Sequence, residues 1–198
     1  MATNFKDTWT WSAHVDCESN NYQKSIVLQK TINSYEDFIS CVKGFHPVHS
    51  GFGQVVKDIN SRLKSYSVFR TGIKPAWEDS NNSAEFRFVL PNRSASAYFS
   101  LILLEILKDN LFSNLVNGTR ILLDRRGFYR MELWMSIMDS KVKSKIESSI
   151  VKFLDDIRTR ILSCIEEFSD QEAYRELSRI SKIQVKYIPK NKLYYVKS

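Results

Sequence analysis

Two runs far apart in the chain alternate side-chain character residue by residue. In "WTWSAHV" the residues Trp9, Trp11, Ala13 and Val15 share one face. In "EFRFVL" Phe86, Phe88 and Leu90 share one face, while Glu85, Arg87 and Val89 share the other. A period of two is the signature of a half-buried strand, because successive side chains leave a strand on opposite sides. A sheet made of such strands buries one face and leaves the other to solvent, which is the habit of antiparallel sheets. The buried face needs a cover. "SASAYFSLILLEILKDNLF" (Ser94 to Phe112) reads as an apolar helix of ~5 turns. From Ser140 to Phe168, Ile146, Ile150, Phe153, Leu154, Ile157, Ile161, Cys164, Ile165 and Phe168 recur at three- and four-residue spacing, a stripe suited to packing on a sheet. The expected fold is therefore α+β: a curved antiparallel sheet with three or more helices on its convex face.

Other segments fit this plan. "KSIVLQKTI" (Lys24 to Ile32) and "SYSVFRTGI" (Ser65 to Ile73) read as strands, and "RILLDRRGFYRMELW" reads as a hairpin turning at Arg-Arg-Gly. A helix is expected from "NSYEDFISCVKGF", with Asn33 or Ser34 as its cap and acids in its first turn. "DQEAYRELSRI" reads as a short helix, and "KIQVKYI" and "KLYYV" as closing strands. No repeat, low-complexity tract or Pro/Gly/Ser-rich linker interrupts the chain, so its 198 residues are expected to form one domain, 1–198.

The 29 Lys and Arg against 22 Asp and Glu give a net charge of +7, which favours anionic partners. Three scattered cysteines without CxxC spacing point to a reduced, intracellular protein without disulfide or zinc. No apolar leader or membrane-length run is present, and a cytoplasmic location is expected. Neither phosphate-cradling glycine motif occurs, and "HPVH" (His46, His49) has no third metal ligand. No local arrangement of nucleophile, base and acid supports an enzyme, and no cofactor is expected. What stands out is aromatics interleaved with base: Tyr22, Trp77 and Trp134 beside Arg87, Arg125, Arg126 and Arg130. Rings stack on nucleic-acid bases and guanidiniums pair with phosphates.

"GIKPAWED", followed by an Asn-containing turn and an Arg-bearing strand, resembles initiation factor 4E, the eukaryotic mRNA cap-binding family. "WTWSAHV", "YQKSIVLQKTINSYEDF", "FSLILLEILKDNLF", "NGTRILLDRRGFYRMELW" and "NKLYYV" are similar to further family segments in the same order. The resemblance implies a cupped sheet with the 7-methylguanosine cap in its concave face. By it, Trp77 and Tyr22 are the two stacking aromatics, Glu78 reads the guanine edge, and Trp134 lies beside the N7-methyl. Arg87, Arg125 and Arg130 face the triphosphate, with Arg126 replacing Arg125 if the turn register differs by one. On the back surface, Tyr35, Ile39 and Leu104 stand where a 4G-like scaffold or 4E-binding protein docks, with altered contacts.

The resemblance implies capped mRNA as partner, action in translation initiation or its regulation, and a monomer. It marks a divergent member, of protist or viral type. Glu85-Phe86 replaces the family's glycine pair, and an acid on the face of Arg87 weakens phosphate contacts. The alternative is therefore a 4E-like protein-interaction module that has lost or altered cap binding. A third reading, from charge and aromatics alone, is a general single-stranded nucleic-acid binder.

Overall fold

A computed structural model describes residues 4–15, 25–44, 52, 55–56, 61–76, 79, 81–112, 114–124, 126–136, 140–168, 171–179 and 183–190. In chain order its elements are β1 (Asn4–Val15), β2 (Ile26–Ser34), α1 (Tyr35–Gly44), β3 (Val55–Val56), β4 (Ser61–Arg70) and β5 (Ala84–Leu90). There follow α2 (Ala95–Leu107), β6 (Val116–Leu123), β7 (Tyr129–Met135), α3 (Ser140–Phe168), α4 (Gln171–Arg179) and β8 (Val185–Pro189). The strands form one antiparallel sheet in the order β2-β1-β4-β6-β7-β5-β8, with β3 paired to β4. This is the α+β architecture that the alternation demands.

The two faces are resolved by alternation. Trp9, Trp11, Val68, Phe86, Phe88, Leu90, Ile121 and Met131 lie on the convex side, in the core. Helix α2 covers them with Tyr98, Phe99, Ile102, Leu103 and Ile106, and α3 adds Ile146, Ile150, Leu154, Ile157 and Ile161. At ~1.5–3 kcal/mol for each large apolar side chain removed from water, this layer is the main source of stability. Helix α1 begins as expected at a cap. Ser34 Oγ accepts the N–H of Asp37 at 3.1 Å, and the Asp37 carboxylate accepts from the N–H groups of Asn33 and Ser34 at 3.0 Å each.

Several boundaries differ from the sequence expectation. Strand β1 starts at Asn4 rather than Trp9, β4 starts at Ser61 rather than Ser65, and β3 was not expected. The apolar helix ends at Leu107, more than a turn before Phe112. Its termination is a left-handed cap. Asp109 takes φ 59°, its N–H donates to Ile106 O at 3.0 Å, and Asn110 N–H donates to Glu105 O at 3.0 Å. Asp109 tolerates this because its carboxylate is held from outside the helix, by Lys6 Nζ at 2.9 Å and Arg70 at 3.4 Å. Cys164, placed on the apolar stripe, is exposed. The side chains of Ile165 and Phe168, the His46/His49 pair and the "KLYYV" segment lie outside the described residues.

Candidate functional site

Strand register places a compact charge cluster on the open, concave face. Glu132 in β7 stands opposite Arg87 of β5 on one side and Arg120 of β6 on the other. Arg130 precedes it by two residues on the same face. Glu132 is fully buried. It accepts from Arg120 Nε at 2.7 Å and from Arg130 Nε and a terminal nitrogen at 3.1 and 2.8 Å. Arg87 Nε lies 3.7 Å away. Burial alone would raise the carboxyl's pKa, but the three guanidiniums of Arg120, Arg130 and Arg87 more than offset it and hold Glu132 below its usual value. The arginine side chains keep 20–30% of their surface open to solvent. A guanidinium carries five N–H donors in a planar fork, the group type that pairs best with carboxylate or phosphate.

Glu85 is the second carboxylate of this face. It is fully buried and forms an ion pair with Arg87. Among the described residues its second oxygen accepts no hydrogen bond. Arg87, Arg120 and Arg130 set against Glu85 and Glu132 leave one net positive charge. Lys186, opposite Arg87 in β8, is exposed beside them.

Trp134 follows Glu132 on the same face, opposite Glu85. The Arg120 guanidinium lies over its ring at 5.6 Å, and Phe69 meets it edge-on with centroids 5.7 Å apart. Phe69 can do so only because residue 118 is glycine. A Cβ on Gly118 would lie 2.4 Å from the Phe69 ring and 2.6 Å from Val68 O. Farther along the face, His14 is buried with Nε2 2.7 Å from Ser67 Oγ. Burial, then the charge of Arg120, lowers its pKa to about 3, so it is neutral at ordinary pH.

The loop between β4 and β5 is tied at both ends to this region. Asn82, fully buried, donates to the carbonyls of Lys74 and Ala76 at 2.9 Å each. Asn117 Nδ2 donates to Asn81 O at 2.6 Å and Asn82 Oδ1 at 3.1 Å. Asp79 accepts from Lys74 N–H at 2.7 Å and Asn81 N–H at 2.9 Å. Burial would raise the Asp79 pKa, but these donors and the charge of Lys190 bring it below its usual value. Ser83 N–H donates to Met135 O at 3.0 Å, which sets the loop at the Trp134 end of β7. The polar turn "EDSNN" thus contains anchors as well as turn formers.

At the other end of β7, Asp124 closes the hairpin. Its carboxylate accepts from the N–H groups of Arg126 and Phe128 at 2.8 and 3.0 Å and pairs with the Arg126 guanidinium at 3.1 Å. Gly127 takes φ 82°, a left-handed position that the turn requires and glycine adopts freely.

Of the expected cap residues, Arg87, Arg130 and Trp134 come together on the concave face. Arg126 lies apart at the exposed hairpin tip, paired with Asp124. Tyr22, Trp77, Glu78 and Arg125 lie outside the described residues. On the opposite side Tyr35 is exposed, while Ile39 and Leu104 are half-buried against the core. Arg120 and Glu132 were missed. The alternation of "RMELW" already puts Arg130, Glu132 and Trp134 on one face, but the arrival of Arg120 depends on the pairing of β6 with β7. Among the described residues no group of His, Cys, Asp and Glu is placed to hold a metal, and no helix is long and apolar enough to cross a membrane.

The sequence model of the family "Eukaryotic initiation factor 4E" matches residues 4–186. Solved structures share the fold. One is of Caenorhabditis elegans eIF4E-3 with the 4E-binding protein Mextli and a cap analogue: TM-score 0.65, 16% identity, covering 98% of this chain and 96% of that one. Another is of Ascaris suum eIF4E-3 with the m7G cap: TM-score 0.63, 17% identity, covering 100% of this chain and 94% of that one. A third is of a schistosome eIF4E with m7GpppG and 4E-BP: TM-score 0.67, 13% identity, covering 100% of this chain and 95% of that one. No curated protein matches the chain.

Proposed function

The chain belongs to the eukaryotic initiation factor 4E family, and from that premise we propose that it binds the 7-methylguanosine 5′ cap of mRNA in its concave face. The observation that carries this reading is the convergence of Arg87, Arg120 and Arg130 beside Trp134, each arginine side chain still partly open to solvent. A methylated guanine is positively charged. Trp77 and Tyr22 sandwich it, and cation–π attraction contributes roughly 0.5–2 kcal/mol per ring when water is excluded. Glu78 accepts from guanine N1–H and the N2 amine, a pairing adenine cannot offer. Trp134 flanks the base, and Arg87 and Arg130, with Arg125 or Arg126 from the hairpin, hold the triphosphate. Affinity falls as salt rises, because part of it is charge. On the back surface Tyr35, Ile39 and Leu104 receive a helical segment of a 4G-like scaffold or a 4E-binding protein. In this reading the protein acts as a cytoplasmic monomer in translation initiation or its control, not as an enzyme.

Titration with 7-methyl-GTP and with GTP tests the reading. The methylated nucleotide is expected to quench tryptophan fluorescence far more strongly, and Trp77→Ala to abolish the difference. Equal, weak quenching by both would sink the proposal. The buried Glu85–Arg87 pair favours a second reading, a protein-interaction module without cap binding. Recovery of a helical partner by a protein that is not retained on cap resin would select it.

A further inference from the structure

Phe128 is 45% exposed, the most exposed large hydrophobic side chain among the described residues. Nothing in the cap reading uses it. Its backbone is fixed from both sides: Asp124 N–H donates to Phe128 O at 2.9 Å, and Phe128 N–H donates to Asp124 Oδ1 at 3.0 Å. The first of these bonds extends the β6–β7 pairing one residue beyond the Leu123–Tyr129 pair, so the alternation of β7 carries on to Phe128. Tyr129 points into the core against Phe52. Phe128 therefore belongs to the open face, in line with Arg130, Glu132 and Trp134.

The order along that line is directional. The β4–β5 loop that carries Trp77 and Glu78 is fastened at the Met135 end. Next come Trp134 and then the arginine cluster, with Phe128 at the far end. Six residues at ~3.3 Å each separate Phe128 from Trp134, a span of ~20 Å that a triphosphate between two riboses can bridge. The far end is also basic. Arg126 lies over the Phe128 ring at 5.7 Å and is largely exposed. Val89, 40% exposed, faces the same side opposite Arg130. The charge of Asp124 is met by two N–H groups and by Arg126, so it leaves no free anion to repel phosphate.

We propose that Phe128, with Arg126 and Val89, is a stacking subsite for the base of the nucleotide that follows the cap triphosphate. The ligand class is a capped dinucleotide or longer capped RNA, bound at both of its bases with the triphosphate across the arginines between them. The inference rests on the cap reading above, which fixes the end at which the methylated guanine enters. A ring stacked on an unpaired base tolerates any base, so the subsite adds affinity without sequence preference.

Wild type and Phe128→Ala are titrated with 7-methyl-GTP and with the dinucleotide m7GpppG. The change is at an exposed position and does not put folding at stake. The alanine variant is expected to bind m7GpppG about five- to tenfold more weakly and 7-methyl-GTP as before, and Phe128→Tyr to restore dinucleotide binding. Equal weakening of both ligands would overturn the subsite, since Phe128 would then act on the cap base or the fold. No change with either ligand would also overturn it. If wild type binds neither ligand, the cap reading itself has failed and this inference falls with it. Binding of 7-methyl-GTP with no effect of Phe128→Ala on m7GpppG refutes the subsite alone.

Discussion

Replacing Glu132 by Gln separates two roles of one carboxylate. In the native protein Glu132 is fully buried, 2.7 Å from Arg120 Nε, 2.8 Å from Arg130 and 3.7 Å from Arg87. Each short contact is worth ~4 kcal/mol or more in Coulomb terms at an effective dielectric constant of ~20, before desolvation is subtracted. Removing one partner of a buried ion pair costs ~3–5 kcal/mol, much of it for the charges left behind. Gln keeps the shape and can still accept from one guanidinium, so the low end, ~3 kcal/mol, applies. For a chain of 198 residues this lowers Tm by ~6–12 °C. Binding should move the other way. Three arginines against two glutamates leave one net positive charge on the face; the variant leaves two, and a triphosphate is drawn more strongly. The expected result is a lower Tm by thermal melting together with tighter 7-methyl-GTP binding by fluorescence titration, the gain being larger at low salt. A variant as stable as the parent would refute the claim that Glu132 is the counter-charge. Lower stability with weaker binding would refute competition and make Glu132 a positioning group for the guanidiniums.

Glu85→Gln should tighten 7-methyl-GTP binding about threefold to tenfold at low salt and lower Tm, because it removes one partner of the buried ion pair with Arg87; weaker binding in the same titration would show that Glu85 orients Arg87. Asn82→Ala leaves the carbonyls of Lys74 and Ala76 without this donor, and a melting curve should report a loss of ~1–3 kcal/mol, with lower 7-methyl-GTP affinity expected if the cap reading holds. Gly118→Ala forces Phe69 off Trp134 and should cost ~1–3 kcal/mol, seen as a lower Tm and an altered near-ultraviolet circular dichroism band. His14 has its folded pKa lowered to about 3 from 6.5, so the unfolded chain binds a proton that the native one refuses. Its contribution is complete above pH ~6.5 and is lost at ~1.4 kcal/mol per pH unit as the pH falls toward 3; denaturant melts should show this slope between pH 6.5 and 5, and His14→Gln should flatten it.

How much of this was legible in the sequence depended on range. Alternation in "EFRFVL" placed Glu85 and Arg87 on one face, and the two form an ion pair there. That inference needs only the geometry of a single strand. The apolar spacing of α3 likewise named its buried residues up to Ile161. It failed at Cys164, which is exposed, because spacing alone marks a stripe without fixing its width. The end of α2 was hidden for a related reason. Leu111 and Phe112 continue the apolar composition, while the cap at Asp109 is stabilised by Lys6 and Arg70, which belong to distant strands. Arg120 was invisible as a site residue because its partner is fixed by the register of β6 on β7. Asn82 read as a turn former, and only the folded loop reveals it as a buried donor to two carbonyls.

The two glutamates change what the arginines can do. Three guanidiniums crowded on one face repel one another, and without counter-ions the cluster would destabilise the sheet that carries it. Glu85 and Glu132 remove that repulsion and hold the cations in place before any ligand arrives, so ligand binding pays less to order them. The same carboxylates oppose an incoming triphosphate. In the cap-binding reading proposed above, charge then contributes less to affinity than three unpaired arginines would give, and the proposed aromatic sandwich and guanine-reading carboxylate must contribute more. A protein built this way should discriminate 7-methyl-GTP from GTP sharply while losing affinity only gently as salt rises. Steep salt dependence with little discrimination would mean that the phosphates, and not the base, carry recognition, and would count against the neutralising role assigned to Glu85 and Glu132.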